Sequence, residues 1–383
     1  MRPRRLFSYN LPLHLLLLPV SSSCILSLPE SDHVLVAALL FSGIVYSAFY
    51  TIVVHLEQSG GAALLEAACP PTHLAQFSKT YGVGIKAIDN FLCGADIFFS
   101  AALQEGGPVE PLIRLFTLNG AVMSFVLLLE SSRSDKPYVA FIPVVFGLAM
   151  QVITAALSLS TFWMLFVVQA CWSTTRSAKK PLTKVQVEAA LLATLGGYLI
   201  PTAWMLLTRS TWAIVVWQPF PLWISIIQQA WTFYRVKTSP RDEELGSGWD
   251  LLQLSLLLFS GIGTIGWIYI LLPYTTTSSF SLSALLLDLW NWLPSVSVPS
   301  PSTTTIPSAA LHLLQYDALW AFGSTILAAV ILTEDVKDTL FAVQTLPVLV
   351  ILFGPGSVIG GLWMFREVRL LINEQEREAK KTK

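Results

Sequence analysis

Apolar runs long enough to cross a bilayer follow one another along most of the chain, parted by short polar connectors. A helix needs about 20 mainly apolar residues to span the hydrocarbon core. Runs of that kind lie near residues 33–56, 82–104, 112–131, 139–165, 186–207, 211–231, 250–273, 316–333 and 339–365. The pattern predicts an all-α, polytopic integral membrane helical bundle with about nine transmembrane helices. Three connectors break it sharply: SSRSDKP (131–137), STTRSAKKPLTK (173–184) and RVKTSPRDEELGSG (235–248). A longer loop, 273–315, is rich in Ser, Thr and Pro, and its FSLSALLLDLWNWL stretch (280–293) has the aromatic–apolar mixture of an interfacial or re-entrant helix. Residues 31–365 thus read as a single transmembrane domain and 366–383 as a charged tail. The first 30 residues, MRPRR and then a short apolar run, read equally well as a signal peptide or a retained anchor.

Composition points the same way. The chain is 54% hydrophobic and 12% charged, whereas soluble domains carry about 25% charged residues. A net charge of -1 leaves no basic excess for nucleic acid. Cys24, Cys69, Cys93 and Cys171 are far apart with no CxxC pair, a spacing that predicts neither a disulfide framework nor a zinc site. Lys and Arg in short loops set topology, so the basic loops 173–184 and 235–248, two spans apart, both face the cytosol. Counting on from there sends the basic tail to the opposite side, against that rule, unless one span is miscounted or 280–293 crosses.

Two motifs resemble nucleotide or metal signatures. GIGTIG (261–266) matches GxGxxG inside an apolar span, without the strand that a dinucleotide site requires, so it predicts close helix packing, as does Gly356-x-x-x-Gly360. EDVKD (334–338) is similar to the acidic pentapeptides that hold magnesium in diphosphate-using prenyl enzymes. A second such cluster is missing from the sequence, and a polar connector fits the segment better. The five histidines are scattered, none at ligand spacing, so no metal or other cofactor is expected.

Carboxylates inside apolar spans are the better lead, since each costs roughly 2.5–3.5 kcal/mol at the bilayer centre. Asp89 and Asp96 share one helix face, Glu130 ends an apolar run with Asn119 on its face, and Asp317 opens another with Trp320 a turn later. Gly147, Gln151, Thr154 and Ser158 form a polar stripe, as do Ser42, Tyr46 and Tyr50. Any one of these acids can be structural, snorkelling to the interface or pairing locally, as Asp89 can with Lys86. Taken as a set they point to an interior site. A buried carboxyl can stay protonated at neutral pH and act as a general acid toward an alkene or epoxide. Aromatic faces stabilise the resulting carbocation, and the chain holds 13 Trp, 21 Phe and 10 Tyr.

The stretches AIDNFLCGADIFFSAAL (87–103), LLLESSRSDKP (127–137), PVVFGLAMQVITAAL (143–157), LLQYDALWAFGSTILAAV (313–330) and LFGPGSVIGGLWMFREV (352–368) resemble the fungal membrane-bound terpene cyclases of the ascofuranone and ascochlorin type. The likeness covers most of the chain from about residue 80. It implies an isomerase of meroterpenoid biosynthesis that protonates a farnesylated phenol or quinone, or its terminal epoxide, and cyclises the chain. It also implies catalytic roles for Asp89, Glu130 and Asp317 with Gln151 a polar neighbour, a lipophilic prenylated aromatic substrate, no metal, and residence in the endoplasmic reticulum; Asn119 and Trp320, from their helix positions beside these acids, join Gln151 as expected substrate contacts. A small-molecule transporter also suits membrane acids and polar stripes, and an aromatic prenyltransferase using EDVKD is a third reading.

Overall fold

Helix starts are written locally. Thr183 with Gln186, and Thr305 with Ser308, close capping boxes, and Ser210 caps the next helix with its side chain. The computed structural model describes residues 30–133, 143–172, 181–238, 247–275, 293–332 and 336–381, and every regular element among them is helical. Residues 1–29, much of the three polar connectors, the 280–292 piece and the acidic side chains of EDVKD lie outside the described residues.

In chain order, α1 (Glu30–Ala48) continues through a π-helical Phe49–Val54 to Gln58. Three shorter helices follow, α2 (Gly61–Ala68), α3 (Pro71–Thr80) and α4 (Lys86–Ala102). Next come α5 (Glu110–Ser132), α6 (Pro143–Ile153) and α7 (Ala155–Trp172). α8 (Lys184–Thr194) runs through a π-helical Leu195–Leu199 into α9 (Ile200–Thr208). α10 (Thr211–Trp217) and α11 (Phe220–Thr238) are parted at Gln218 and Pro219; α12 (Trp249–Thr275), α13 (Ile306–Ile331), α14 (Val336–Phe353) and α15 (Pro355–Lys381) complete the bundle. Among the described residues five helices are long and apolar enough to cross a membrane: Val34–Gln58, Glu110–Ser132, Lys184–Thr208, Trp249–Leu271 and Ile306–Ile331. Lipid exposure of their outer faces follows, with Leu254, Leu257 and Ile265 of α12 62–64% exposed.

Two segments expected to cross in one piece are hairpins. Ser158 Oγ donates to Phe146 O at 2.5 Å, and the Phe146 and Phe162 rings meet at 5.3 Å. α6 and α7 therefore run antiparallel about Thr154, which holds φ 79°. The expected 139–165 span and its polar stripe are thus broken at Thr154. Likewise α14 and α15 meet at Gly354, with φ 82°, a conformation glycine takes freely.

Pairings across the bundle fix the directions. Tyr198 Oη donates to Thr117 O at 2.7 Å and Gln186 Nε2 donates to Ser132 O, so α8–α9 opposes α5. Lys184 N donates to Ser247 Oγ at 3.0 Å, gathering the basic connectors at one end. Ala156 N donates to Asp317 Oδ1 at 2.5 Å and Trp163 Nε1 to Thr325 Oγ1 at 2.9 Å, so α13 runs parallel to α7 toward that basic end. From Ile331 only residues 332–335 lead into α14, which rises to mid-depth, where Trp267 Nε1 donates to Ile351 O at 2.9 Å. α15 then descends parallel to α5, since Asn119 receives Gly356 N at 2.7 Å and Glu130 receives Arg366 Nη1 at 2.5 Å. The tail therefore leaves by the basic end, and the conflict with the positive-inside rule disappears because the 339–365 segment enters and returns. α15 is continuous through residue 366, and Arg366 and Glu367 are buried.

At the opposite end Cys69, just past α2, and Cys93 of α4 form a disulfide. This corrects the expectation drawn from their spacing: 24 residues separate them in sequence, and only the packing of α2 and α3 on α4 brings them together.

Candidate functional site

The half of the bundle nearer the basic end is filled by rings, with Trp163 and Trp363 at 5.3 Å and Phe125 and Phe259 at 4.9 Å. The other half holds a cavity of about 370 Å³ between α4, α5, the α6–α7 tip, the α10–α11 break and α13. That size falls within the range of small-molecule sites. A belt of rings lines it: Phe98 meets Phe99 at 5.3 Å, Phe99 meets Trp217 at 5.1 Å, Trp217 meets Phe220 at 5.2 Å, and Phe220 meets Tyr198 at 4.8 Å.

Asp317 is the single charged side chain among the described residues lining this cavity, and it is 5% exposed. Its position follows from two helices. α13 carries it toward the interior, pinned by Trp163 on Thr325. The break at Thr154 then aims the first turn of α7 at its carboxyl, so that Ala156 N–H donates to Oδ1 at 2.5 Å. A non-glycine residue in the left-handed region costs roughly 1–2 kcal/mol. Such strain persists where surrounding packing enforces it, commonly at functional sites. Gln151 lies on the cavity wall one turn before Thr154, which also lines it.

The cavity therefore collects Asp317, Gln151 and Thr154 from the residues singled out in the sequence, and the other candidate site residues lie elsewhere. Glu130 sits in a buried ionic cluster toward the basic end. It accepts from Arg133 Nε at 3.1 Å, from Arg366 Nη1 at 2.5 Å and from Trp363 Nε1 at 3.2 Å, while Glu367 completes the group against both arginines. Asp89 accepts Val83 N at 2.8 Å and secures the entry to α4. Asn119 spans three helices of the core, donating to Leu115 O at 2.8 Å and accepting from Gly356 N. A Cβ at Gly356 or Gly263 would collide with its side chain, so these glycines serve the close packing expected of their motifs. Trp320 Nε1 donates to Thr51 Oγ1 at 3.0 Å, on the α1 side of α13. Tyr46 and Tyr50 are exposed on the outer face.

Sequence reasoning missed three features. Gln218, in WQPF between two apolar runs, is 4% exposed on the cavity wall, and its Nε2 has no partner among the described residues. A buried unpaired amide costs about 1–3 kcal/mol, so it is out of place in a purely packed core. The signal available was a polar amide beside a proline inside a membrane segment. His55 and His312, 257 residues apart, meet at 3.2 Å between α1 and α13. Cys69 and Cys93 pair as described.

A helical bundle with outward apolar faces and an aromatic-lined, acid-bearing cavity marks a polytopic membrane protein with a largely apolar interior cavity. Within that class the chain belongs to the CtvD domain family, whose description matches residues 35–371. A match over most of the chain fits a family of fungal secondary metabolism. No curated protein and no solved structure matches the chain significantly.

Proposed function

We propose that the protein is a membrane-bound terpene cyclase that starts its reaction by protonation, with Asp317 as the acid. One observation carries the reading: a lone carboxyl faces a cavity whose other described walls are mostly apolar and aromatic, with a few uncharged polar side chains such as Gln151 and Gln218. In the acid form Oδ1 accepts from Ala156 N–H and Oδ2 holds the proton. Delivery to a terminal alkene, or to an epoxide oxygen whose C–O bond then breaks, leaves a tertiary cation on the substrate. An internal alkene attacks it and closes a ring, and loss of a proton at the end balances the one delivered, so mass is unchanged. Phe98, Phe99, Trp217 and Phe220 offer their faces to the cation without acting as nucleophiles. Gln151 and Thr154 border the acid and orient the reacting end. The substrate is a farnesylated phenol or quinone, lipophilic enough to enter from the membrane.

Glu130 takes no proton-transfer role in this scheme, because two arginines hold it outside the cavity. Asp89, Asn119 and Trp320 act through packing. The endoplasmic reticulum suits the orientation: basic connectors mark the cytosolic end, and a disulfide at the other end requires an oxidising compartment.

The test is turnover by membranes from a host lacking such pathways, fed a farnesylated phenol and its terminal epoxide. A product of equal mass and altered retention is expected, unaffected by EDTA. Asp317→Asn keeps an acceptor for Ala156 N–H and removes the acid, and is expected to lower turnover about 10²–10⁴-fold. Full activity of that variant at equal membrane level would overturn the assignment. One observation favours transport instead: helices broken at mid-depth, at Thr154 and Gly354, around an interior site. Uptake of a labelled substrate into vesicles without chemical change would move that reading ahead.

A further inference from the structure

We infer that Gln218 is a positioning residue of this cavity, whose side-chain amide donates N–H to an uncharged oxygen on the ligand's chain. Two cavity-lining side chains carry a buried polar atom left without a protein partner, Thr154 Oγ1 and Gln218 Nε2. Thr154 stands beside Asp317, to which a rotated hydroxyl can turn. Gln218 is the one of the two that brings N–H donors to spare.

Its backbone is held firmly. Gln218 N donates to Ile214 O at 3.2 Å, Pro219 ends α10, and Leu222 N returns to Pro219 O at 2.9 Å. Trp217 beside it is locked by Nε1 on Thr202 Oγ1 at 2.9 Å and packed between Phe99 and Phe220. The side chain cannot swing out to the interface, since it is 4% exposed, and the bilayer core offers no water to satisfy it. The amide torsion χ3 is broad and two-fold, so the N–H bonds turn to a guest in the cavity. A guest oxygen would supply the missing acceptor. That oxygen is uncharged, because the described lining of the cavity carries no cationic side chain to pair with an anion. An ether, epoxide, hydroxyl or carbonyl oxygen fits. Held at Gln218, the chain keeps a fixed register relative to Asp317, and Gln218 itself transfers no proton. This inference rests on the reading of the cavity as the substrate site.

The experiment is binding to purified full-length protein of two C15 isoprenoid probes, one ending in an epoxide and the other in the parent alkene. Wild type is expected to bind the oxygenated probe about tenfold to a hundredfold more tightly, the worth of one buried hydrogen bond. Gln218→Met should erase that preference and leave affinity for the alkene unchanged, with KM for the oxygenated substrate raised and the pH profile of turnover unmoved. Equal binding of the two probes by wild type overturns the inference, and so does a preference that survives in Gln218→Met. Should Gln218→Met fail to fold, Gln218→Leu takes its place in the same comparison, with the same two outcomes. Binding is read without turnover, so a protein that discriminates the probes yet converts neither sinks the cyclase reading and leaves the role of Gln218 standing.

Discussion

At the scale of single residues, equal-looking acids part company through their neighbours. Glu130 and Asp317 both sit within apolar helices and both are almost wholly buried. Glu130 meets two arginines, a second carboxylate and an indole, which brings together two positive and two negative charges among the described residues. Asp317 meets backbone N–H and a cavity. Removing one member of a buried ionic group strands the rest, at a cost of about 3–5 kcal/mol. Glu130→Ala is therefore expected to lose thermal stability in detergent heavily, whereas Asp317→Asn should keep its melting temperature while losing turnover. A stable, fully folded Glu130→Ala protein would show that the cluster contributes little. Both acids were visible in the sequence as costly groups. Their partners were not, because Arg366 and Glu367 lie 236 and 237 residues further along.

At the scale of elements, the decisive features are the breaks. Thr154 and Gly354 each turn an apolar run of spanning length back on itself. At Gly354 the left-handed backbone strains any side chain, and a Cβ would stand 2.8 Å from Trp267 Cβ. Gly354→Ala is expected to destabilise by about 1–2 kcal/mol from backbone strain alone, measurable as a lowered melting temperature. Thr154 is the opposite case, a strained residue kept where glycine would be relaxed. Thr154→Gly releases roughly 1–2 kcal/mol of strain against about 0.5–1 kcal/mol of added chain entropy. Its melting temperature should hold or rise while turnover falls, since the hydroxyl beside Asp317 is gone. A parallel fall in stability and activity would contradict a functional origin for the strain. Helix existence was legible from the apolar runs, as were the capping boxes. The breaks were not, because hydropathy averages over a window and does not register one residue's φ.

For the whole molecule, each hairpin enters and leaves by the basic end where one crossing was expected, and the α14–α15 turn at Gly354 returns the tail to that end. The basic connectors and the basic tail share an end, and the Cys69–Cys93 disulfide occupies the other. A reporter fused to the C-terminus is expected on the cytosolic face, and a membrane-impermeant thiol reagent should reach Cys69 only after reduction and only from the other face. Labelling from the cytosolic side would mean that the hairpins cross after all. The sequence by itself determined the class of solvent, the helical period and the caps, because each depends on neighbours within about a turn. It also placed Asp89, Asp96, Glu130 and Asp317 on helices and gave the angle of each on its helix. Only the tertiary structure decided that Asp317 meets the cavity with Gln151 and Gln218, that Glu130 meets Arg366, and that Cys69 meets Cys93. The physical reason is that the helical period fixes the angle of a side chain on its own helix, while the helix it faces is chosen by packing among distant segments.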